Sequence, residues 1–110
     1  LDRRDGQNVA LHGFAHQLDT EDGAADGAPV LPRLSDYAAW ARALRPEYER
    51  LRETPKASVL DRYGAQNPAE FFAVATEAFF EKPDKLRRKH PELYAELARF
   101  YRVETAAAPV

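Results

Sequence analysis

Two histidines, His12 and His16, stand four residues apart in the stretch NVALHGFAHQLD, residues 8–19. On an α-helix, side chains at this spacing project from one face, with Cβ atoms about 5–6 Å apart. Two imidazoles placed in this way can bind one Zn²⁺ ion at about 2.0–2.1 Å each. Zinc proteases use the same spacing in the pattern H-E-x-x-H, in which the glutamate is the general base. Gly13 occupies the position of that glutamate, so the pair is compatible with a metal site, with a disabled enzyme, or with two histidines that are only neighbours on a helix.

The histidine spacing alone leaves another interpretation open, namely two partly buried histidines that hydrogen-bond to backbone groups. A metal site needs further ligands. Asp19, three residues after His16 and on the same helix face, is expected to accept a ring N–H from a liganding histidine. Asp22 is a weaker ligand candidate. To bring it to the metal, the chain would have to turn back after the helix, and such a turn normally has glycine at the position of Asp19.

The distant ligand candidate is Glu77, in the middle of the stretch AEFFAVATEAFFEK, residues 69–82. Most of the circumference of this predicted helix is apolar. A carboxylate in such a setting is costly to bury unless a positive group meets it. Glu70 and Glu81 lie nearer the ends of the helix, where solvent is easier to reach. The alternative for Glu77 is a place on an exposed stripe of the helix.

Length and composition are those of one small globular domain over residues 1–110. The chain is 45% apolar and 31% charged, with a net charge of -2. Because basic and acidic residues are interspersed, nucleic acid is not an expected partner. The absence of cysteine excludes a disulfide framework and a Cys-ligated metal. No apolar run approaches the roughly 18 residues that span a bilayer, so no membrane partner is expected.

The first half of the chain predicts two helices and a loop. Apolar residues recur at helical spacing over residues 9–18. The following segment, residues 19–32, has the glycines, prolines and acidic residues of a loop. A second helix is predicted from Ser35, whose hydroxyl can cap it, to about Glu53. Pro46 cannot donate a backbone N–H and is expected to divide this helix into two pieces.

The second half predicts two further helices. Residues 56–66 are ambiguous between a helical turn and an extended piece. Asn67 is the predicted N-cap and Pro68 the first residue of a helix that runs to Pro83. A fourth helix is predicted from Pro83 or Pro91 to about Val103, and residues 104–110 are expected to be frayed. With no strand pattern and no internal repeat, the predicted fold class is all-α, a small helical array.

The segments NVALHGFAHQLDTEDGAADGAPVL and NPAEFFAVATEAFFEKP together resemble the Mlc titration factor A (MtfA) peptidases, which are bacterial cytosolic zinc metallopeptidases. Their usual text around the histidine pair is H-E-F-A-H-Q-L-D, followed by an acidic segment D-G-x-x-D-G. The chain has His12 and then residues 14–19 in register with that text, and Asp22-Gly23 and Asp26-Gly27 after it. The resemblance covers roughly residues 6–102.

The resemblance implies a gluzincin-like zinc site similar to that of the anthrax lethal factor catalytic core. It implies His12, His16 and Glu77 as the ligands, with water in the fourth position. A tyrosine often stabilises the oxyanion in such sites, and Tyr63 is the candidate for that role. Family members are longer, so we expect the chain to be a fragment that carries the catalytic part. Helix faces left uncovered in such a fragment are expected to self-associate.

The first functional hypothesis is therefore a cytoplasmic zinc metallopeptidase that acts on a peptide or protein substrate. Its activity can be assayed with an aminopeptidase substrate. Loss of the general base at Gly13 typically lowers the rate by about 10²–10⁴, so the chain is expected to bind zinc but to be poorly active. The alternative is a non-catalytic interaction module, for example one that binds a transcriptional repressor. A third possibility is a helical fragment without metal. His90, next to the basic run 85–89, is expected to be solvated rather than a ligand.

Overall fold

The computed structural model describes residues 6–20, 27–31, 33–54 and 59–106. These residues form an all-α fold, which confirms the predicted class. The helices are α1 (Gly6–Asp19), α2 (Leu34–Glu53), α3 (Pro68–Glu81), α4 (Pro83–Lys89) and α5 (Pro91–Tyr101), and a 3₁₀ turn (Arg62–Ala65) precedes α3. No helix of the described part has both the length and the apolar character needed to cross a membrane.

Helix α3 is the centre of the fold. Its apolar residues extend around most of the helix, so it can be covered from several sides. Helices α1, α4 and α5 and the 3₁₀ turn all pack against it, while α2 packs on the 3₁₀ turn and on α5. The buried residues of α3 are Ala69, Phe71, Phe72, Ala73, Val74, Ala75, Thr76, Ala78 and Phe79.

The start of α3 is fixed by local capping, as the sequence predicts. The side chain of Asn67 accepts a hydrogen bond from the backbone N–H of Glu70 at 2.9 Å. Pro68 is the first helical residue, where its missing N–H leaves no intrahelical bond unmade. These two residues set the position of Glu70 in the first turn of the helix.

Helix α2 continues through Pro46, so the predicted division into two pieces is wrong. Trp40, Leu44 and Leu51 are all buried in the core, and they lie on one face of α2 on both sides of the proline. Burial of this continuous face outweighs the backbone hydrogen bond that proline removes. The helix also begins earlier than predicted, because its N-cap is Arg33 rather than Ser35.

The C-terminal region has two helices where the sequence predicts one, and each begins at one of the two candidate prolines, Pro83 and Pro91. The segment after α5 is packed rather than frayed as far as Ala106. The hydroxyl oxygen of Tyr94 accepts hydrogen bonds from the backbone N–H groups of Thr105 and Ala106, at 3.0 and 2.9 Å. Residues 107–110 lie outside the described residues.

His90, between α4 and α5, is not the solvated histidine that the sequence predicts. Its Nδ1 lies 2.8 Å from Oε1 of Glu47, a buried residue of α2. Glu47 also bonds Arg50 at 3.0 Å. Because the partner is 43 residues away in the chain, the basic run beside His90 gave no indication of this contact.

Candidate metal centre

Helix α1 packs along α3 and brings both histidines against the first turn of α3. Nε2 of His12 lies 2.8 Å from Oε1 of Glu70, and Nε2 of His16 lies 3.1 Å from the same oxygen. The two Nε2 atoms are 3.1 Å apart. Three potential metal ligands of the described residues, His12, His16 and Glu70, therefore converge on one point. The predicted convergence of the two histidines is what the fold produces.

The spacing of these three atoms fits a small divalent cation. Ligand atoms about 2.0–2.1 Å from a tetrahedral zinc ion lie about 3.3 Å from one another. The three observed separations, 2.8, 3.1 and 3.1 Å, are a few tenths of an ångström shorter than this. A small outward movement of the side chains is enough to admit the ion. Two imidazole nitrogens and one carboxylate oxygen are also the donor set of many catalytic zinc sites.

Glu77 lies beside this cluster but not in the place expected for it. Its Oε2 is 2.5 Å from Nδ1 of His12, the ring nitrogen opposite the one that faces His16. The carboxylate that meets both Nε2 atoms belongs to Glu70, which the sequence analysis set aside as a residue near solvent. The side chain of Glu70 is 18% exposed, because α1 covers the first turn of α3.

Asp19 is placed against the loop that follows α1. Both of its carboxylate oxygens accept from the backbone N–H of Gly27, at 3.0 and 2.9 Å, and Asp19 is fully buried. The carboxylate at Nδ1 of His12 is that of Glu77, 2.5 Å away. Asp19 instead connects the C-terminal end of α1 to residue 27. Asp22 lies outside the described residues.

Gly27 lies at a position that strongly favours glycine. Its φ of +82° lies in the left-handed region, which L side chains rarely adopt. A Cβ atom there would lie 2.6 Å from the carbonyl oxygen of Pro68. The carbonyl oxygen of Gly27 accepts a hydrogen bond from Nε1 of Trp40 at 2.9 Å. Gly27 thereby joins Asp19 at the end of α1 to α2 and to the start of α3.

Gly13 is exposed on α1, immediately after His12. Apart from the adjoining residues and backbone of α1, no atom of the described residues lies within 4 Å of the position that a Cβ would occupy there. The described residues therefore leave room for the first atom of a side chain at this position. Glycine itself supplies no general base there.

Tyr63 lies close to the histidines, as proposed for an oxyanion-stabilising residue. Its ring centroid is 6.1 Å from that of His12, and its side chain is 47% exposed. The backbone N–H of Tyr63 donates to Oδ1 of Asp61 at 2.8 Å, which caps the 3₁₀ turn. The next residue, Gly64, is buried against Val74 of α3. This close contact holds the turn, and with it Tyr63, beside α3.

The residue that sequence reasoning missed is Glu70. Glu70 and Glu77 are seven residues apart, close to two helical turns, so they share one face of α3. That spacing signals that both carboxylates face the same neighbouring element. It does not show which of them meets the Nε2 atoms, because this depends on how far α1 is displaced along α3.

The chain is similar to known proteins over most of its length. A family model described as glucose-regulated metallo-peptidase M90 matches residues 1–102. An uncharacterised protein of Synechocystis sp. is 48% identical over 104 residues, which are 92% of this chain and 38% of that protein. Mlc titration factor A of Edwardsiella ictaluri is 41% identical over 113 residues, covering 93% of this chain and 43% of that protein.

A further relative, Mlc titration factor A of Serratia proteamaculans, is 37% identical over 108 residues, covering 93% of this chain and 41% of that protein. The chain thus spans about two fifths of the length of these relatives. The family model, by contrast, covers nearly the whole chain, including both histidines and α3. The chain therefore belongs to the glucose-regulated metallo-peptidase M90 family.

Proposed function

We propose that the chain binds one zinc ion through Nε2 of His12, Nε2 of His16 and the carboxylate of Glu70, and that these residues are the metal-binding part of a peptidase site. The observation that carries the proposal is the position of Glu70 Oε1, within 3.1 Å of both Nε2 atoms. Membership of a metallo-peptidase family supports it. Zinc bound by such a donor set supplies Lewis-acid polarisation of a carbonyl group and activation of water.

The residues around the cluster suit a reaction on a peptide. The side chains of His12 and His16 are 24% and 31% exposed, so the cluster is open to a ligand from solvent. Tyr63, exposed beside His12, can donate its phenol proton to a developing oxyanion. Gly13 offers no group that can accept a proton from the attacking water. We therefore propose slow hydrolysis for the chain as it stands, and a peptide or protein as the substrate.

Metal analysis of the purified chain tests the zinc proposal. The wild-type chain, loaded with zinc and dialysed, is expected to retain about one ion per chain. His16→Ala and Glu70→Ala each remove one of the proposed ligands and are expected to abolish retention. Glu81→Ala, at the far end of the same helix, is the matched control and should bind as the wild type does. Unchanged zinc content in Glu70→Ala would show that the ligand assignment is wrong.

A non-catalytic interaction module is the second candidate function. Gly13 favours it, because the chain keeps the metal cluster and lacks the base. The name Mlc titration factor A, borne by relatives that are 33–41% identical, refers to titration of Mlc by those proteins. We propose binding of such a transcriptional repressor as the corresponding role of this chain. A cytoplasmic location is part of both proposals and follows from the family resemblance.

Restoring the base separates the two candidate functions. Gly13→Glu is assayed with a chromogenic aminopeptidase substrate, with and without zinc, beside Gly13→Gln as a matched control that lacks the basic carboxylate. For a peptidase, zinc-dependent turnover is expected to rise by about 10²–10⁴ in Gly13→Glu and not in Gly13→Gln. A zinc-loaded Gly13→Glu chain without turnover favours the interaction module.

A further inference from the structure

His12 lies between two carboxylates of α3. One ring nitrogen, Nε2, faces Glu70 at 2.8 Å, and the other, Nδ1, faces Glu77 at 2.5 Å. Glu70 and Glu77 are two helical turns apart, about 10.5 Å along the helix axis. The imidazole of α1 therefore bridges two positions on one face of α3. Both ends of the ring are held, which fixes the plane and the rotation of the ring.

When a metal ion occupies Nε2, the contact with Glu77 favours one tautomer of His12. A neutral imidazole carries its proton on one ring nitrogen and a lone pair on the other. A carboxylate at Nδ1 accepts the proton of that nitrogen, and the lone pair then lies on Nε2, the atom that faces His16 and Glu70. In metal sites, a carboxylate on the distal ring nitrogen orients the liganding histidine and raises its basicity.

The burial of Glu77 agrees with a specific partner. Its side chain is 13% exposed, and its neighbours along α3, Thr76 and Ala78, are buried. A carboxylate at such a position is costly unless it accepts a good hydrogen bond. Nδ1 of His12, 2.5 Å from Oε2 of Glu77, is the group that can donate that bond. Glu77 thus lies inside the fold because it faces a histidine, although it does not point at the cluster itself.

We infer that Glu77 is the positioning residue of His12: its carboxylate holds the ring by Nδ1 and presents Nε2 as the metal-binding atom. This inference rests on the proposed zinc site and adds a determinant of its affinity. Loss of such a carboxylate typically weakens metal binding by 10- to 100-fold. Glu70, in contrast, is a proposed ligand, and its loss is expected to abolish binding.

Zinc affinity of Glu77 variants tests the inference. Competition with a chromophoric chelator gives the dissociation constant of the wild type, Glu77→Ala, Glu77→Gln and the control Glu81→Ala. Glu77→Ala is expected to bind about 100-fold more weakly, and Glu77→Gln about tenfold, because its amide oxygen still accepts the Nδ1–H. Glu81→Ala should retain wild-type affinity. The visible spectrum of the Co²⁺-loaded Glu77 variants should also differ from that of the wild type.

A purely structural role of Glu77 gives a different result. In that case urea unfolding of the metal-free chain shows lower stability for both variants, while the folded protein binds zinc with wild-type affinity, and the inference is overturned. Glu77→Gln keeps the size of the side chain and decides the question if Glu77→Ala does not fold. A wild-type chain that binds no zinc overturns the proposed site and this inference together. Wild-type zinc binding with unaffected Glu77 variants overturns the inference alone.

Discussion

Replacing Gly64 by alanine adds one methyl group at the closest contact between the 3₁₀ turn and α3. The new Cβ would lie 2.3 Å from Cγ2 of Val74, 3.3 Å from Cα of Phe71 and 3.4 Å from Cδ2 of Leu51. All three neighbours are buried. Because Gly64 is not in the left-handed region of backbone conformation, the effect of the substitution is steric. The methyl group has to displace Val74 or the turn itself by about 1 Å, since ordinary carbon contacts are about 3.5–4.0 Å.

Two opposing terms set the size of the effect. Overpacking of a close-packed core by an added methyl group typically costs about 1–3 kcal/mol. Alanine also restricts the unfolded chain, which stabilises the folded state by about 0.4–1 kcal/mol. The middle values of the two terms differ by about 1.3 kcal/mol, and we therefore expect Gly64→Ala to lower the free energy of unfolding by about that amount. For a domain of this size, each kcal/mol corresponds to a decrease of roughly 5 °C in the melting temperature.

Urea unfolding followed by circular dichroism measures the effect, as a lower midpoint with an unchanged slope. Gly13→Ala is the matched control, because it is the same chemical change at an open position of α1. It is expected to stabilise the protein by up to about 1 kcal/mol, since glycine is a poor residue in a helix interior. Opposite signs for the two substitutions would show that the Val74 contact, and not alanine as such, is responsible.

The double variant Gly64→Ala/Val74→Ala isolates the contact. Removing the valine methyl groups makes room for the new Cβ, so the double variant should be more stable than the sum of the two single effects predicts, by at least about 0.5 kcal/mol. Strict additivity, or a Gly64→Ala protein as stable as the wild type, refutes the steric reasoning. The close approach of the turn to α3 would then not be what holds Tyr63 beside the histidines.

Two further predictions concern contacts that join different elements of the fold. Burial alone raises the pKa of Glu47, but hydrogen bonding and charge from His90, and then from Arg50, outweigh it and leave the pKa below the usual 4.5. Glu47 therefore stabilises the fold above about pH 4.5, and this contribution is lost as the pH falls through its lowered pKa. In urea unfolding measured at a series of pH values, the free energy of unfolding of His90→Ala should therefore decrease less at acid pH than that of the wild type. Gly27→Ala, which places a Cβ 2.6 Å from a Pro68 oxygen at φ +82°, should destabilise more than Gly64→Ala, and equal melting temperatures would contradict this.

Local signals in the sequence predicted the helices well where the deciding contacts are also local. Asn67 and Pro68 fix the start of α3 through a bond to the residue three positions on, and such a bond can be inferred from residue types. Pro46 gave the wrong prediction because the deciding contacts are tertiary. The apolar face of α2 is buried against other elements on both sides of the proline, and nothing within α2 itself reveals that packing.

The sequence predicted which residue types form the candidate site, but not which glutamate of α3 meets both histidines. The histidines share one face of α1 because helical geometry dictates it. The choice between Glu70 and Glu77 depends on the displacement of α1 along α3, which side chains from both helices determine together. From the sequence, Glu77 is the preferred ligand because it lies in the middle of α3, whereas the ends of a helix are nearer to solvent. That reasoning fails here because α1 covers the first turn of α3, and Glu70 is only 18% exposed.

On α1, the side chains proposed to bind zinc face α3, whereas the position of the general base is exposed. The side chains of His12 and His16 face α3 and are held there by Glu70 and Glu77, so their positions depend on the packing of the two helices. Gly13 is exposed, and within the described part of the chain a Cβ added there would meet no atom of another element within 4 Å. Glycine there costs the fold about 1 kcal/mol in helix stability, and it leaves the ligand geometry intact. A change at position 13 can therefore remove or restore a general base without altering the proposed metal site, which makes Gly13→Glu an informative substitution for either function.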